Sequence, residues 1–186
     1  MTFFTGKSII INKYIYVHLQ VGGLKMCDFF TLHETGLKYT ALTKKAMRVC
    51  YQAHSGQCDA SGIPYVFHPF HLAEQMDSET EICVALLHDV LEDTNWTIED
   101  LEREGFPEEV LEPVRLLTHD PKVPYMDYIA IVRKNPVAKK VKLADLKHNR
   151  NLDRLDFISD YDRSRYRKYC EAEKVLLEIE APGDSR

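Results

Sequence analysis

From residue 40 onward, apolar positions recur at helical spacing almost without interruption. Leu42, Ala46, Val49, Cys50 and Ala53 mark one face of a helix over residues 40–53. Gly56 and Gly62 then bracket a polar loop, and Pro64 opens a segment that becomes helical through His71, Leu72, Ala73 and Glu74. Ser78 and Glu81 form a capping box, and the helix it opens runs over 82–91 with Ile82, Cys83, Val84, Ala85, Leu86, Leu87 and Val90 on both faces. A helix that oily belongs in a core. Thr97 and Asp100 predict the start of a short helix ending at Gly105. Pro107 suits the first turn of another, running to about Thr118. Two more helices follow Pro124 and Pro136, and residues 160–180 form a long last one. Residues 1–36 read differently. Ile, Tyr and Val dominate 8–21, which predicts a strand pair or an irregular extension, with Met26 as an alternative start. The fold class is therefore all-α: an N-terminal extension over 1–36, short β or irregular, and one helical domain over 37–182. No βαβ alternation, internal repeat or Gly-rich phosphate loop is present.

Composition changes this picture little. The 186 residues, 45% hydrophobic and 28% charged, suffice for one real core. No apolar run spans a bilayer, and Asn12, Lys13 and His18 interrupt the N-terminal stretch, leaving no signal-peptide core, so no membrane partner is expected. The five cysteines are odd in number and form no Cys-x-x-Cys pair, which predicts reduced thiols in a cytoplasmic protein. A net charge of −5 argues against a polymeric nucleic-acid partner. The distribution is uneven, however. Arg133, Lys134, Lys139, Lys140, Lys142, Lys147, Arg150 and Arg154 face only Asp145 and Asp153 in their stretch. Such a segment suits a small polyanionic ligand; the alternative is a solvated helix face.

The chemistry begins with His88 and Asp89, adjacent polar residues inside the apolar helix. An ionised aspartate buried there without a partner is costly, and a bound cation compensates for it. Glu92 and Asp93 follow at the three- and four-residue spacings that share a helix face with Asp89. His68, before Pro69, and Asp145, in the apolar Val141-Lys142-Leu143-Ala144-Asp145 stretch, complete a set of two imidazoles and two carboxylates. That donor set suits Mn²⁺, Fe²⁺ or Zn²⁺ better than Ca²⁺, and without cysteine it is no structural zinc site.

With these blocks in place the chain resembles the HD-domain metal-dependent phosphohydrolases, and among them the ppGpp hydrolase domain of the RelA/SpoT family and its small stand-alone relatives. The resemblance covers residues 53–155. It rests on Ala53-His54-Ser55-Gly56-Gln57, Ser61-Gly62-Ile63-Pro64-Tyr65, His68-Pro69, Ala85-Leu86-Leu87-His88-Asp89, Glu92-Asp93-Thr94, and Lys142-Leu143-Ala144-Asp145 with Asn149. It implies a compact HD-type helical bundle in which His68, His88, Asp89 and Asp145 hold a catalytic divalent ion, Mn²⁺ or another transition metal. Glu92 and Asp93 would be the acidic pair near the attacking water. Lys142, Asn149, Arg165 and Tyr169 would contact a small-molecule nucleotide, with core packing the alternative for Tyr169 and a structural role beside the metal ligands the alternative for Lys142. The implied reaction releases the 3′-pyrophosphate of guanosine 3′,5′-bis(diphosphate), leaving GDP.

His54 is expected to be structural or to support the ligands, and His71 to pack; His18, His33 and His119 are incidental, and His148 remains open either way. The chain departs from the family at one place. Where those hydrolases carry basic residues against the guanine base, Asp59 and Ala60 stand here. A carboxylate removes a cation–π contact and repels phosphate, so hydrolysis of a different nucleotide is the first alternative. A non-catalytic nucleotide sensor is the second. The family's synthetase domain is not matched, and alarmone synthesis is not expected. The oligomeric state is open.

Overall fold

The computed structural model describes residues 37–178 and the backbone of three N-terminal strands. The chain divides into two compact units, Met1–Thr35 and Gly36–Arg186. In the first, β1 (Lys7–Ile11), β2 (Tyr14–Val21) and β3 (Leu24–Thr31) form an antiparallel sheet in that order. The registers run from Lys7 opposite His18 to Ile11 opposite Tyr14, and from Tyr14 opposite Thr31 to Val21 opposite Leu24. Residues 8–21 thus form the strand pair that their composition suits, and a third strand, which contains Met26, adds to it. Lys25 and Asp28 interrupt the alternation of that third stretch, which hides it from a pattern search. His33 lies outside the described residues.

The second unit is helical: α1 (Ala41–Ala53), α2 (Phe67–Ala73), α3 (Glu79–Leu87), α4 (Val90–Asp93), α5 (Ile98–Arg103), α6 (Glu108–Leu117), α7 (Tyr125–Val132), α8 (Pro136–Asn149) and α9 (Asp160–Leu177), with a 3-10 turn at Leu152–Arg154. Thr40, Ser78, Thr97 and Ser159 each close a reciprocal capping box, a device worth about 1 kcal/mol per helix start. Gly105 ends the α5 segment at φ 76°, a left-handed conformation that glycine adopts without strain.

The centre of the unit is α3. Ile82, Cys83, Val84, Ala85, Leu86 and Leu87 have no exposed surface, because α1, α2, α6 and α8 surround the helix. Its all-round oiliness therefore reflects four neighbours. At the start of α3, Glu81 accepts Lys140 Nζ of α8 at 2.7 Å, and near its end His88 meets Asp145 of α8. The two helices run side by side in the same direction, so the cap of α3 and its functional end are both referenced to α8. Arg150, capping α8, donates twice to Glu173 at 2.7 and 2.6 Å and fixes α9 against it. Among the described residues no helix is long and apolar enough to cross a membrane.

Candidate metal centre and active site

The end of α3 shows how a core helix can present polar chemistry. His88 follows Leu87 and turns back so that Nδ1–H donates to the Ala85 carbonyl at 2.8 Å. That carbonyl is the one the Asp89 amide takes in a continuous helix, and the competition interrupts the helix at His88 and Asp89. A single run over 82–91 is corrected to two helices, α3 and α4. The break matters because consecutive residues in a straight helix point about 100° apart, whereas His88 Nε2 and Asp89 Oδ2 lie 2.8 Å apart.

His68, from α2, and Asp145, from α8, reach the same place. His68 Nε2 stands 3.3 Å from His88 Nε2, 3.2 Å from Asp145 Oδ1 and 3.6 Å from Asp89 Oδ2. His88 Nε2 is 4.0 Å from Asp145 Oδ1. All of these side chains are buried or nearly so. With Nδ1 of His88 committed as a donor, its neutral ring offers only a lone pair at Nε2, and that lone pair faces carboxylate oxygens. Acceptors gathered in this way need a positive centre, either a proton or a metal ion. Burial opposes protonation of His88, but Asp89 and Asp145 overcome it and raise the imidazole to about 9. Asp89, against its own burial, is drawn down to about 2 by His88.

The donor set also fits a cation by size. One ligand atom each from His68, His88 and Asp145 lies within 4.8 Å of the others, compatible with bonds of about 2.0–2.2 Å to one shared ion. Asp89 adds an oxygen at the edge of that group. Neighbours orient all four. Lys142 Nζ donates to Asp145 Oδ2 at 2.8 Å and Asn149 Nδ2 to Asp145 Oδ1 at 2.5 Å. The Tyr65 hydroxyl donates to Asp89 Oδ2. His68 Nδ1 meets His148 Nδ1 at 2.7 Å. Burial together with His68 and Arg154 pushes His148 down to about 4, so it stays neutral and able to accept from His68. Supporting contacts of this kind fix ligand tautomer and direction.

The remaining candidate residues fall around this centre. Glu92 and Asp93 lie on α4, one turn beyond Asp89, and both are exposed. Glu92 Oε2 accepts the His119 amide at 3.0 Å. Partial burial of the carboxyl, with Asp89 and Glu92 beside it, raises Asp93 above its ordinary range. Gln57 Nε2 donates to the Asp93 carbonyl at 2.8 Å, while Gln57 Oε1 accepts from His54 Nδ1 at 2.7 Å, so buried His54 acts on α4 through Gln57. Asn149, expected on a nucleotide, has its amide on Asp145. Arg165 Nε and Nη2 donate to the Tyr169 hydroxyl at 3.1 and 2.9 Å. His71 is exposed, with its ring 4.9 Å from that of His148.

A cleft of about 400 Å³ opens beside His68, lined among others by Tyr65, Phe67, His71, His148 and Arg154. The Asp59 departure is visible here. Its Oδ1 accepts the Ser61 and Ile63 amides at 2.9 and 3.0 Å, and Arg154 Nη1 approaches Oδ2 to 3.8 Å. The carboxylate is spent on its own loop, and the cleft still holds a guanidinium, supplied by Arg154. Tyr65, His148 and Arg154 carry these contacts without having been assigned a site role from sequence. Tyr65 sits in a quoted block, Ile63-Pro64-Tyr65, and that was the available signal.

An all-α unit with buried imidazoles and carboxylates converging at a broken core helix defines an HD-type domain. No family model matches the chain. It is 32% identical over 149 residues to the guanosine-3′,5′-bis(diphosphate) 3′-pyrophosphohydrolase of Aquifex aeolicus, covering 75% of this chain and 20% of that protein. It is 33% identical over 145 residues to the enzyme of the same name from Borreliella burgdorferi, covering 68% and 21%. The chain thus spans about a fifth of the length of these relatives. A solved structure described as a metazoan orthologue of SpoT that hydrolyses ppGpp superposes with a TM-score of 0.61 at 25% identity, covering 76% of this chain and 88% of that one. The helical unit is similar to the HD-type hydrolase domain of the RelA/SpoT family.

Proposed function

We propose that the protein is a Mn²⁺-dependent hydrolase that releases pyrophosphate from the 3′ position of ppGpp, leaving GDP. The observation that carries this reading is the buried meeting of His68, His88 and Asp145, with Asp89 beside them and two carboxylates one turn further on. The named relatives and the structural neighbour support the substrate. In the proposal His68, His88, Asp89 and Asp145 hold the ion. A divalent cation there lowers the pKa of water and neutralises charge on phosphate oxygens. Glu92 and Asp93 accept the proton of the attacking water. Lys142 balances one of the two buried carboxylates, while Asn149, Arg165 and Tyr169 meet the substrate.

A panel of nucleotides with Mn²⁺ tests the reading. Pyrophosphate release from ppGpp is expected to exceed phosphate or pyrophosphate release from GTP, ATP and GDP by an order of magnitude or more. Equal rates across the panel favour the same chemistry on another nucleotide, the reading that Asp59 keeps open. Binding without turnover in any metal favours a sensor.

Metal binding itself has an expected pH dependence. His88 in the metal-free protein holds a proton up to about 9, so an incoming ion must displace it. The apparent metal affinity should rise by roughly tenfold per unit as pH climbs toward about 9 and level off above it. Titration calorimetry in buffers of different ionisation enthalpy should find about one proton released at neutral pH. Affinity that is flat between pH 6 and 9 would rule out a protonated His88 in the empty centre.

A further inference from the structure

Gln57 reaches both ends of α4, the one-turn helix that carries Glu92 and Asp93. It lies just beyond α1, after Gly56 at φ 81°, and its main-chain amide donates to the His54 carbonyl at 3.1 Å. Through its side chain it holds the far end of α4, with Nε2 donating to the Asp93 carbonyl at 2.8 Å. Through its main chain it holds the near end. The Gln57 carbonyl accepts the Tyr65 amide at 2.9 Å, and the Tyr65 hydroxyl donates to Asp89, the residue that opens α4.

This holding matters because α4 is only four residues long. A single turn of helix has no stability of its own in water, and its last carbonyls lack partners within it. The Gln57 side chain supplies one from outside. A carbonyl can only accept, so Nε2 must face Asp93 and Oε1 must face His54. His54 Nδ1 is then the donor, at 2.7 Å. The ring is buried, and its Nε2 has no hydrogen-bond partner among the described residues. The bond to Gln57 is therefore what fixes the direction of the side-chain amide.

We infer that Gln57, oriented by His54, is a positioning residue that sets Glu92 and Asp93 relative to the proposed ligand Asp89. The inference rests on the proposed hydrolase reading for what the acidic pair does; the holding of α4 stands apart from it.

Gln57→Glu is the variant that tests this. A carboxylate keeps the side-chain volume and an acceptor for His54, but it turns an oxygen toward the Asp93 carbonyl, and the contact with α4 becomes a repulsion. In the metal-free protein, amide hydrogen exchange over residues 90–94 should become faster while that over 82–87 stays protected. In the Mn²⁺-loaded protein, ppGpp turnover per bound ion should fall by roughly 10- to 100-fold, the effect of misplacing a reacting group by about an ångström. KM and metal content should stay near those of the unaltered protein. Gln52→Glu, at an exposed position of α1, controls for the added charge. At residue 54, His54→Asn keeps a donor where Nδ1 stands and should lose less turnover per ion than His54→Leu, which fills the space but cannot donate. A role in packing alone predicts the reverse order. Unchanged exchange over 90–94 in Gln57→Glu, or turnover per ion no lower than in Gln52→Glu, would overturn the inference. Absence of ppGpp turnover in the unaltered protein, with the exchange difference intact, would overturn the hydrolase reading alone.

Discussion

Asp145→Asn is expected to strip the protein of its metal and to lower pyrophosphate release from ppGpp by roughly 10³-fold or more. The estimate follows from the charge removed: a carboxylate in direct contact with a catalytic ion supports several kcal/mol of transition-state stabilisation, and about 4 kcal/mol corresponds to that factor. Asparagine is the informative replacement. Asp145 is held well below the ordinary carboxylate range, its burial overcome first by Lys142, and it accepts from both Lys142 and Asn149. Alanine at this position leaves a buried ammonium unpaired, a change costing about 3–5 kcal/mol, and confuses lost chemistry with lost folding. Asparagine keeps an oxygen for Lys142 and the side-chain volume. Metal content after dialysis, turnover and the thermal transition should be measured together. Retained metal with near-normal turnover in a folded variant would remove Asp145 from the proposed ligand set.

Glu92→Gln and Asp93→Asn should separate proton transfer from metal holding. Each is expected to lower turnover by roughly 10²–10⁴-fold, the span for a positioned general base, while metal content stays near that of the unaltered protein. Asp93 is the member whose carboxyl is raised, by burial and then by Asp89 and Glu92. A base works only when deprotonated, so with Mn²⁺ kept saturating, turnover should fall as pH drops through the raised Asp93 value, and Asp93→Asn should abolish that acidic limb. Glu92 has a second attachment, accepting the His119 amide from the loop after α6. Glutamine keeps an acceptor oxygen for that amide, so the loop should hold its place, readable as unchanged proteolysis there. If either variant loses its metal as Asp145→Asn does, the pair helps to hold the ion, and the proposed division of labour fails.

The helices from residue 40 onward were legible because many starts are written in local chemistry: Ser78 and Thr97 as caps, and Pro107, Pro124 and Pro136 where a missing amide is harmless. His88 and Asp89 stood out because polar neighbours in an all-apolar run break the pattern. The interruption at those two residues was hidden, since it arises when an imidazole takes a main-chain carbonyl, and no propensity encodes that. His68 and Asp145 entered as an imidazole ahead of a proline and a carboxylate in an apolar stretch; spacing alone does not join α2 to α8. Tyr65 and His148 escaped assignment for a related reason. Each acts through a contact between segments distant in the chain, and for Tyr65 the one local signal was the Ile63-Pro64-Tyr65 block.

The break between α3 and α4 also bears on where this chain can tolerate insertions and deletions. With Glu81 fastened to Lys140 at one end of α3 and His88 facing Asp145 at the other, the number of residues between them sets the bearing of the imidazole. One residue more or fewer swings His88 by about 100°, into the apolar packing around Leu86. Among descendants of this sequence, the interval from Ser78 to Asp89 should therefore keep a fixed length.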